Sequence, residues 1–246
     1  MDQVNTREQQ DYSSIVTSSE KTSYVQRMFA RIAPRYDFLN HVMSLGLDIG
    51  WRRKAVKLAK FPNSARIIDL GAGTGDFARE VIKQHPDCHM IGLDNCQELM
   101  HIGQHKHGLE SMDWLLAHGQ KLPIADSSVD GVIAGFSIRN MANVPNVFQE
   151  INRVIRPGGV FVILEMVRPT NLISYKIFYY HFKYIVPRLG RLLGSDPDAY
   201  EYLLPSIEHF YSTEKIKSTL LEQKFGRVWF RRYMFQSVAL CVGTKA

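Results

Sequence analysis

Residues 65–77 read ARIIDLGAGTGDF. The run ARIIDL has the continuous apolar character of a strand buried on both faces, and Gly71, Gly73 and Gly75 follow it directly. Glycines at such a turn let the backbone adopt special dihedrals and let a ligand approach the main chain. Downstream the pattern repeats. DFAREVIKQH reads as a helix, HMIGLD as a strand and CQELMHIGQHKHG as a helix; MDWLLAH and VDGVIAG are strands, VPNVFQEINRVI is a helix that stops at RPGG, and GVFVILE is a strand. Strand and helix alternating at this spacing predict a mostly parallel sheet covered on both faces. There are too few repeats for a closed eight-fold barrel, so the expected class is α/β with an open, doubly wound sheet.

The flanks complete that frame. Val25, Met28, Phe29 and Ile32 form a helical stripe broken by Pro34. YDFLNHVMS continues as a short helix, and GLDIGWRRKAVKLAK as another carrying Trp51, Val56 and Leu58, with Asp48 as its expected cap. Residues 20–60 are thus expected to form an amphipathic helical cover, preceded by a polar, loosely ordered start. Residues 166–210 are too long and aromatic for an ordinary connection and read as a helical insertion. A helix over TEKIKSTLLEQK leads into GRVWFRRYMF and QSVALCVGTK, spaced as an antiparallel hairpin at one sheet edge. Seven strands in one domain spanning 1–246 result.

The chain has 246 residues, is 45% hydrophobic and 22% charged, and carries a net charge of +6. This is the composition of a globular protein, with an anionic partner left open. Cys88, Cys96 and Cys241 are odd in number and lack CxxC spacing, which argues against a disulfide framework or a zinc site. No apolar run reaches 18 residues, and MDQVNTREQQDYSS has no signal-peptide core. The expectation is a cytoplasmic protein, with peripheral contact at the inner face of the membrane left open.

The glycine loop alone is weak evidence, and a nicotinamide or flavin fold is its first competitor. Two features oppose that. Asp69 precedes the glycines, where a carboxylate repels a pyrophosphate but accepts from an ammonium, and the pattern is GAGTG, neither GxGxxG nor a loop with GK[ST]. Asp94, at the end of IGLD, is placed to accept both hydroxyls of a ribose. An amino acid joined to a nucleoside without phosphate fits, and S-adenosyl-L-methionine is that molecule. The expected cofactor-binding set is Asp69, Gly71, Gly73, Thr74, Gly75, Asp94 and Asn95, with His118 and Gly119 at the adenine edge, Phe136 beside them, and Leu122 and Ile124 against the ring.

Ligands of an open sheet lie beyond the carboxyl ends of the strands, so FSIRN, residues 136–140, should face the reacting sulfonium. Methyl transfer needs an electron-rich nucleophile held about 3 Å away with water excluded. If that nucleophile is an aromatic carbon, an ionised phenol activates the ring, and Arg139 is the candidate that favours the phenolate. Asn140 would orient it or the substrate oxygen, Ser137 and Ile138 would line the substrate wall, and Glu165 would pair with an arginine. His41, close in sequence to Tyr36 and Asn40, is the candidate base, with His181 and His209 in the insertion as alternatives. No clustered metal-ligand motif occurs, and His101, His105 and His107 read as an exposed, lysine-flanked trio. Residues 175–194, YKIFYYHFKYIVPRLGRLLG, interleave aromatics with cations. They suit core packing, an anionic bilayer or a greasy tunnel mouth. Stacking on nucleic-acid bases would make a DNA or RNA methyltransferase the rival. FSIRN stands where that rival would carry an NPPY-like motif, so no nucleic acid is expected.

Several stretches together resemble the ubiquinone and menaquinone biosynthesis C-methyltransferases. They are MFARIAPRYDFLNHVMSLGLDIGWRR, IIDLGAGTGDFA, LPIADSSVDGVIAGFSIRNM, INRVIRPGGVFVILE followed by RP, and YHFKYIVPRLGRLLGSDPDAYEYLLPSI. The resemblance implies a class I S-adenosylmethionine-dependent methyltransferase fold, a hydrophobic aromatic or lipid-quinol substrate and C-methylation of its ring; it allows a homodimer. It also implies a substrate surface containing Tyr36, Asn40, Met43, Arg139 and Asn140, to which Tyr200 of the YEYL block is added. The family commonly has aspartate in place of His41, Gly-Leu in place of Ser137 and Ile138, an acidic residue in the adenine loop where His118 and Gly119 stand, and arginine in place of Glu208. These departures keep three alternatives in view: methylation of another small aromatic or polyketide, a cofactor-retaining cyclase, and a non-catalytic cofactor-binding scaffold.

Overall fold

A computed structural model describes residues 18–192 and 196–246. The polar start of the chain lies outside the described residues, as does the end of the 175–194 segment. The elements in order are α1 (Ser18–Ile32), a 3-10 turn (Ala33–Arg35), α2 (Tyr36–Met43), α3 (Leu47–Ala59), β1 (Arg66–Leu70), α4 (Asp76–Gln84), β2 (His89–Asp94), α5 (Gln97–Gln104), β3 (Asp113–Leu116) and β4 (Val129–Gly135). A second 3-10 turn (Ile138–Asn140) leads to α6 (Val144–Val154) and β5 (Ile155–Met166). Then come α7 (Leu172–Tyr180), a π-helical turn (His181–Ile185), α8 (Val186–Leu192), α9 (Pro197–Glu208), α10 (Thr213–Glu222), β6 (Phe225–Tyr233) and β7 (Val238–Lys245).

The strands form one sheet in the order β3-β2-β1-β4-β5-β7-β6. The first five are parallel, and β7 pairs antiparallel with both β5 and β6, so the expected doubly wound sheet with an antiparallel edge hairpin is present. Successive side chains of a strand point to opposite faces, and the core divides accordingly. Ile68, Val132 and Phe161 pack with Val147, Phe148 and Ile151 of α6 and with Ile216 and Leu220 of α10. On the other face Ile67, Ile133 and Val162 pack with Ala55 and Val56 of α3 and Phe77, Ala78 and Val81 of α4.

Two local expectations change. Helix α6 ends at Val154, just ahead of RPGG as expected, but RPGG is itself part of β5: the strand starts at Ile155, and a bulge between the Val129↔Ile155 and Gly131↔Val160 pairs absorbs the glycines, with Gly158 at φ 77°. Asp48 is not the cap of α3. Gly46, at φ 72°, holds that position, while Asp48 lies in the first turn with its carboxylate buried.

Outside this sandwich, α7 to α9 form a separate cluster in which Phe178, Phe182, Val186, Tyr200 and Ile207 pack on Leu39 of α2. α1 reaches the same layer, where Val25 and Met28 meet Tyr202 of α9. The amino-terminal helices and the insertion therefore close over the carboxyl ends of the strands from two sides.

Gly75 ties this frame to the glycine loop. At φ 80°, a Cβ placed there lies 2.5 Å from Leu109 Cδ1 and 3.1 Å from Trp114 Cη2. Gly75→Ala thus adds backbone strain to overpacking, expected to cost about 2–4 kcal/mol. Its melting temperature should fall by roughly 5–12 °C for a chain of this size, as read by circular dichroism.

Candidate active site

Two adjoining cavities open at the carboxyl ends of the strands, and Phe29, Tyr36 and Phe136 line both. The first lies at the switch point where β1 is flanked by β2 and β4, the place where an open sheet leaves a crevice. Gly71, Gly73, Asp94, Asn95, His118, Gly119, Ser137 and Asn140 line it, and Thr22 and Val25 of α1 close it. Asp94 Oδ2 accepts the Gly73 N–H at 2.7 Å and Oδ1 that of Cys96 at 2.8 Å. Burial pushes the Asp94 carboxyl up despite those bonds. Each oxygen keeps further acceptor capacity for a hydroxyl.

Not every residue of the expected cofactor set faces this cleft. Asp69 is 1% exposed, and its carboxylate accepts the Ala78 N–H of α4 at 3.0 Å, beneath the glycine loop. Thr74 is buried and donates its hydroxyl to Asp37, which shares Lys106 with Asp76. Gly75 packs on Leu109 and Trp114. The expectation that these three contact the cofactor is corrected: they hold the loop from behind. Leu122 likewise belongs to the core, with Ile124 packed against that core; Leu93, Leu99, Ala117 and Met141 supply the apolar wall of the cleft instead.

The second cavity is largely apolar, with walls from Met28, Ile32, Leu39, Met43, Trp51, Met166, Phe182 and Leu203. Its polar lining is confined to a few groups, among them Asn40, Arg52, Arg139, Tyr200 and Tyr202. Tyr36, Asn40, Met43 and Tyr200 of the expected substrate set are here. Tyr36 hydrogen-bonds Asn40, and burial raises its phenol, so it stays neutral. The Tyr200 hydroxyl is buried without a partner, as is Nε of both Arg52 and Arg139.

Arg139 is held from behind. Its Nη1 donates to Glu165 Oε1 at 2.6 Å and to the Phe136 carbonyl at 2.8 Å, and its own N–H donates to Glu165 Oε2 at 3.1 Å. This is the arginine pair expected for Glu165. Arg139 lines the cavity and Glu165, 1% exposed, does not, so the pair turns its positive end inward. Burial works most strongly against the charged guanidinium, but Glu165 together with Tyr202 and Tyr36 outweighs it, and the net effect holds the charge more firmly. Phe136, which carries this turn, sits at φ 58°, a conformation rare for a bulky side chain and found where surrounding structure enforces it.

Three further expectations are corrected. Ile138 is fully buried in the core and lines neither cavity. Ser137 faces the first cavity, where it donates to the Leu70 carbonyl at 2.8 Å and touches Gly71, whose missing Cβ would lie 2.4 Å from Ser137 Cβ. His41 lines neither cavity: its ring nitrogen contacts both Asp48 oxygens at 3.0 and 3.1 Å, and only Asp48 of the two lines the second cavity. Asn140 lines the first cavity and accepts from Tyr202 at 3.1 Å, linking the turn to α9. His101, His105 and His107 are exposed, as expected.

Sequence reasoning missed the residues that come from distant elements. Asp48 binds Arg52, Ser44 and His41; burial alone would lift its carboxyl, but these partners hold it below the usual range. Lys21 donates to the Arg139 carbonyl at 3.2 Å and Gln26 to that of Asn95 at 2.8 Å, so α1 clasps both strand ends. Polar residues spaced among the apolar stripe of α1 were the available signal.

Comparison with known proteins gives the family and the fold. The sequence profile of the "ubiE/COQ5 methyltransferase family" matches residues 16–245. A demethylmenaquinone methyltransferase of Roseiflexus castenholzii is 36% identical over 226 residues, covering 92% of this chain and 95% of that protein. A ubiquinone/menaquinone biosynthesis C-methyltransferase of Geotalea daltonii is 37% identical over 207 residues, covering 82% and 88%. Among solved structures, an S-adenosylmethionine-dependent methyltransferase of Thermotoga maritima superposes with a TM-score of 0.62 at 18% identity, covering 89% of this chain and 99% of that one. The sheet and its helices are those of the class I methyltransferase fold.

The buried Asp69 gives this site a pH signature. Burial lifts its carboxyl to about 7, against an ordinary value of 3.8. A folded-state value above the unfolded one leaves stability intact below about pH 4 and removes it as pH rises towards about 7. Asp69→Asn keeps an acceptor for Ala78 and has no charge to bury. Its stability relative to the parent should therefore increase between pH 5 and pH 8, by roughly 2–3 kcal/mol, in urea unfolding at each pH.

Proposed function

Because this chain belongs to the ubiE/COQ5 methyltransferase family, we propose that it methylates a ring carbon of a prenylated quinol, a demethylmenaquinol or related benzoquinol, using S-adenosyl-L-methionine. The observation that carries this reading is the pair of cavities meeting at Phe29, Tyr36 and Phe136, one of mixed lining with a carboxylate and main-chain groups and one largely apolar.

The residues of the first cavity suit the cofactor. Among the described residues lining it, none is lysine or arginine, so nothing there neutralises a pyrophosphate; Asp94 is its one carboxylate, placed for hydroxyls. Gly73, with no side-chain atom nearer than 3.8 Å to the point a Cβ would occupy, leaves room for close approach to the main chain. Asp94 and Asn95 would hold the ribose, and His118 and Gly119 would border the base. When bound, the cofactor supplies an electrophilic methyl group.

The chain's own contribution is to position and ionise the acceptor ring. An apolar cavity takes the ring and the start of its tail and excludes water. Arg139, with its charge directed inward and Glu165 behind it, lowers the free energy of a phenolate relative to the phenol. Arg52 is neutralised by Asp48, which lines the same cavity, so Arg139 carries the charge that acts on the ring; neutral Tyr36 can donate a hydrogen bond to the same oxygen. Electron density then rises at the adjacent ring carbons. The methylated ring, then a neutral dienone, gives up its ring C–H proton to solvent, and its C–H electron pair restores the aromatic phenolate.

Purified protein incubated with methyl-labelled cofactor and reduced demethylmenaquinone, or its benzoquinol counterpart, should yield product labelled on a ring carbon by mass spectrometry. Label on oxygen, or no product with any reduced quinol, would contradict the proposal. Asp94→Ala should weaken cofactor binding by about tenfold or more, the loss of a hydrogen-bonded charge, in calorimetry with S-adenosylhomocysteine. Unchanged affinity would remove Asp94 from the ribose site.

A further inference from the structure

We propose that the outer face of α7 and its π-helical turn, together with the loop between α2 and α3, docks on an anionic lipid bilayer and places the mouth of the apolar cavity against it. This rests on the lipid-quinol reading for its purpose, but not for its physical basis.

Helix α7 and the turn after it divide by side. Phe178, Phe182 and Val186, four residues apart, face inward and are buried. Ile173, Ile177, Tyr180 and Tyr184, at spacings of four, three and four, form the opposite stripe and stand 70%, 46%, 59% and 41% exposed. A soluble helix normally presents polar residues there. Leu172 and Ile185 extend the stripe, both exposed.

The same side carries cations and no anion of its own. From Val167 to Leu192 the sequence contains Arg168, Lys176, Lys183, Arg188 and Arg191 but neither aspartate nor glutamate, and all five are exposed. Arg168 lies over the Tyr175 ring and Arg188 over that of Tyr184, which seats positive charge beside the aromatic groups. Glu208, on the neighbouring α9, accepts from Tyr175 at 2.6 Å. Apolar and aromatic residues flanked by lysine and arginine match the boundary between acyl chains and anionic headgroups.

The patch is continuous with the substrate cavity. Met43, Ser44 and Phe182 line that cavity, and the His181 ring hydrogen-bonds the Met43 backbone, which joins the end of α2, where the α2–α3 loop begins, to the π-helical turn. Leu45, 75% exposed, and Leu47, 48% exposed, follow Ser44 directly. Two exposed apolar surfaces thus flank one end of an apolar cavity. Among the described residues no helix is long and apolar enough to cross a membrane, so this contact would lie on the surface. A second copy of the chain is a poorer occupant, because an isologous contact sets this cationic face against itself.

Co-sedimentation with vesicles, without substrate, tests the proposal. The protein should bind vesicles of phosphatidylcholine containing phosphatidylglycerol, bind phosphatidylcholine alone weakly, and lose binding as salt is raised. Ile173→Glu with Ile177→Glu should lower the partition coefficient by about tenfold or more. Lys176→Gln and Arg188→Gln should each lower it by about fivefold. Turnover of a short-tailed, water-soluble quinol should be unchanged in the double variant, while turnover of quinol embedded in vesicles falls. Circular dichroism confirms that the variant is folded. Equal binding to both vesicle types, or unaltered binding of the folded double variant, overturns the proposal. A parent dimer that the double variant dissociates in sedimentation equilibrium also overturns it, assigning the face to a second copy. Vesicle binding by a protein inactive on every quinol would remove the substrate reading alone.

Discussion

The buried pair of Arg139 and Glu165 organises the site. Glu165 ends β5 with 1% exposure, and its two oxygens receive the Arg139 guanidinium, the Arg139 N–H and the Met166 N–H. The guanidinium in turn binds the Phe136 carbonyl. One carboxylate therefore fixes the turn after β4, aims Phe136 between the two cavities and holds a cation at the wall of the apolar one. Removing one member of a buried pair leaves the other unsatisfied, typically at about 3–5 kcal/mol. A change at Arg139 thus disturbs both the shape and the charge of the cavity, and its two effects separate only when Glu165 is neutralised with it.

The glycine loop acts on the same boundary from the other side. Ser137 bonds the Leu70 carbonyl and presses on Gly71, so the ends of β1 and β4 lock together at the switch point. Lys21 and Gln26 of α1 then bind the main chain at Arg139 and Asn95. The cover, the loop and the FSIRN turn form one connected wall. An enzyme that separates a charged cofactor from a greasy acceptor needs such a wall, because the two ligands want opposite surroundings and their reacting atoms must still meet.

Much of the frame was legible in the sequence. Strand-helix alternation after ARIIDL, the strand-end acids and the hairpin spacing carry period and position, which local pattern reports directly. What failed was the direction of side chains. Asp69 and Asp94 both end strands beside glycines, yet one carboxylate turns under α4 and the other into the cleft. Ser137 and Ile138 are neighbours of Arg139, but the 3-10 turn sends one to the first cavity and the other into the core. His41 sits beside Asn40, which lines the second cavity, while its own ring binds Asp48 and lines neither cavity. These outcomes depend on helix phase and on partners such as Asp48, Arg52 and Lys21 that tertiary packing brings together. The polar residues of α1 showed that the cover was amphipathic, but not which main-chain carbonyls they would bind.

The central claim is that the inward-facing charge of Arg139 makes the acceptor ring ionise inside the cavity. It is tested most directly by titrating a bound naphthol analogue, with S-adenosylhomocysteine present, by the ultraviolet absorbance of its phenolate. The account predicts a phenol pKa at least about one unit below that of the free analogue, with the shift lost when Arg139→Met is combined with Glu165→Gln. A bound phenol whose pKa equals or exceeds the free value, or one whose shift survives that double change, would contradict it.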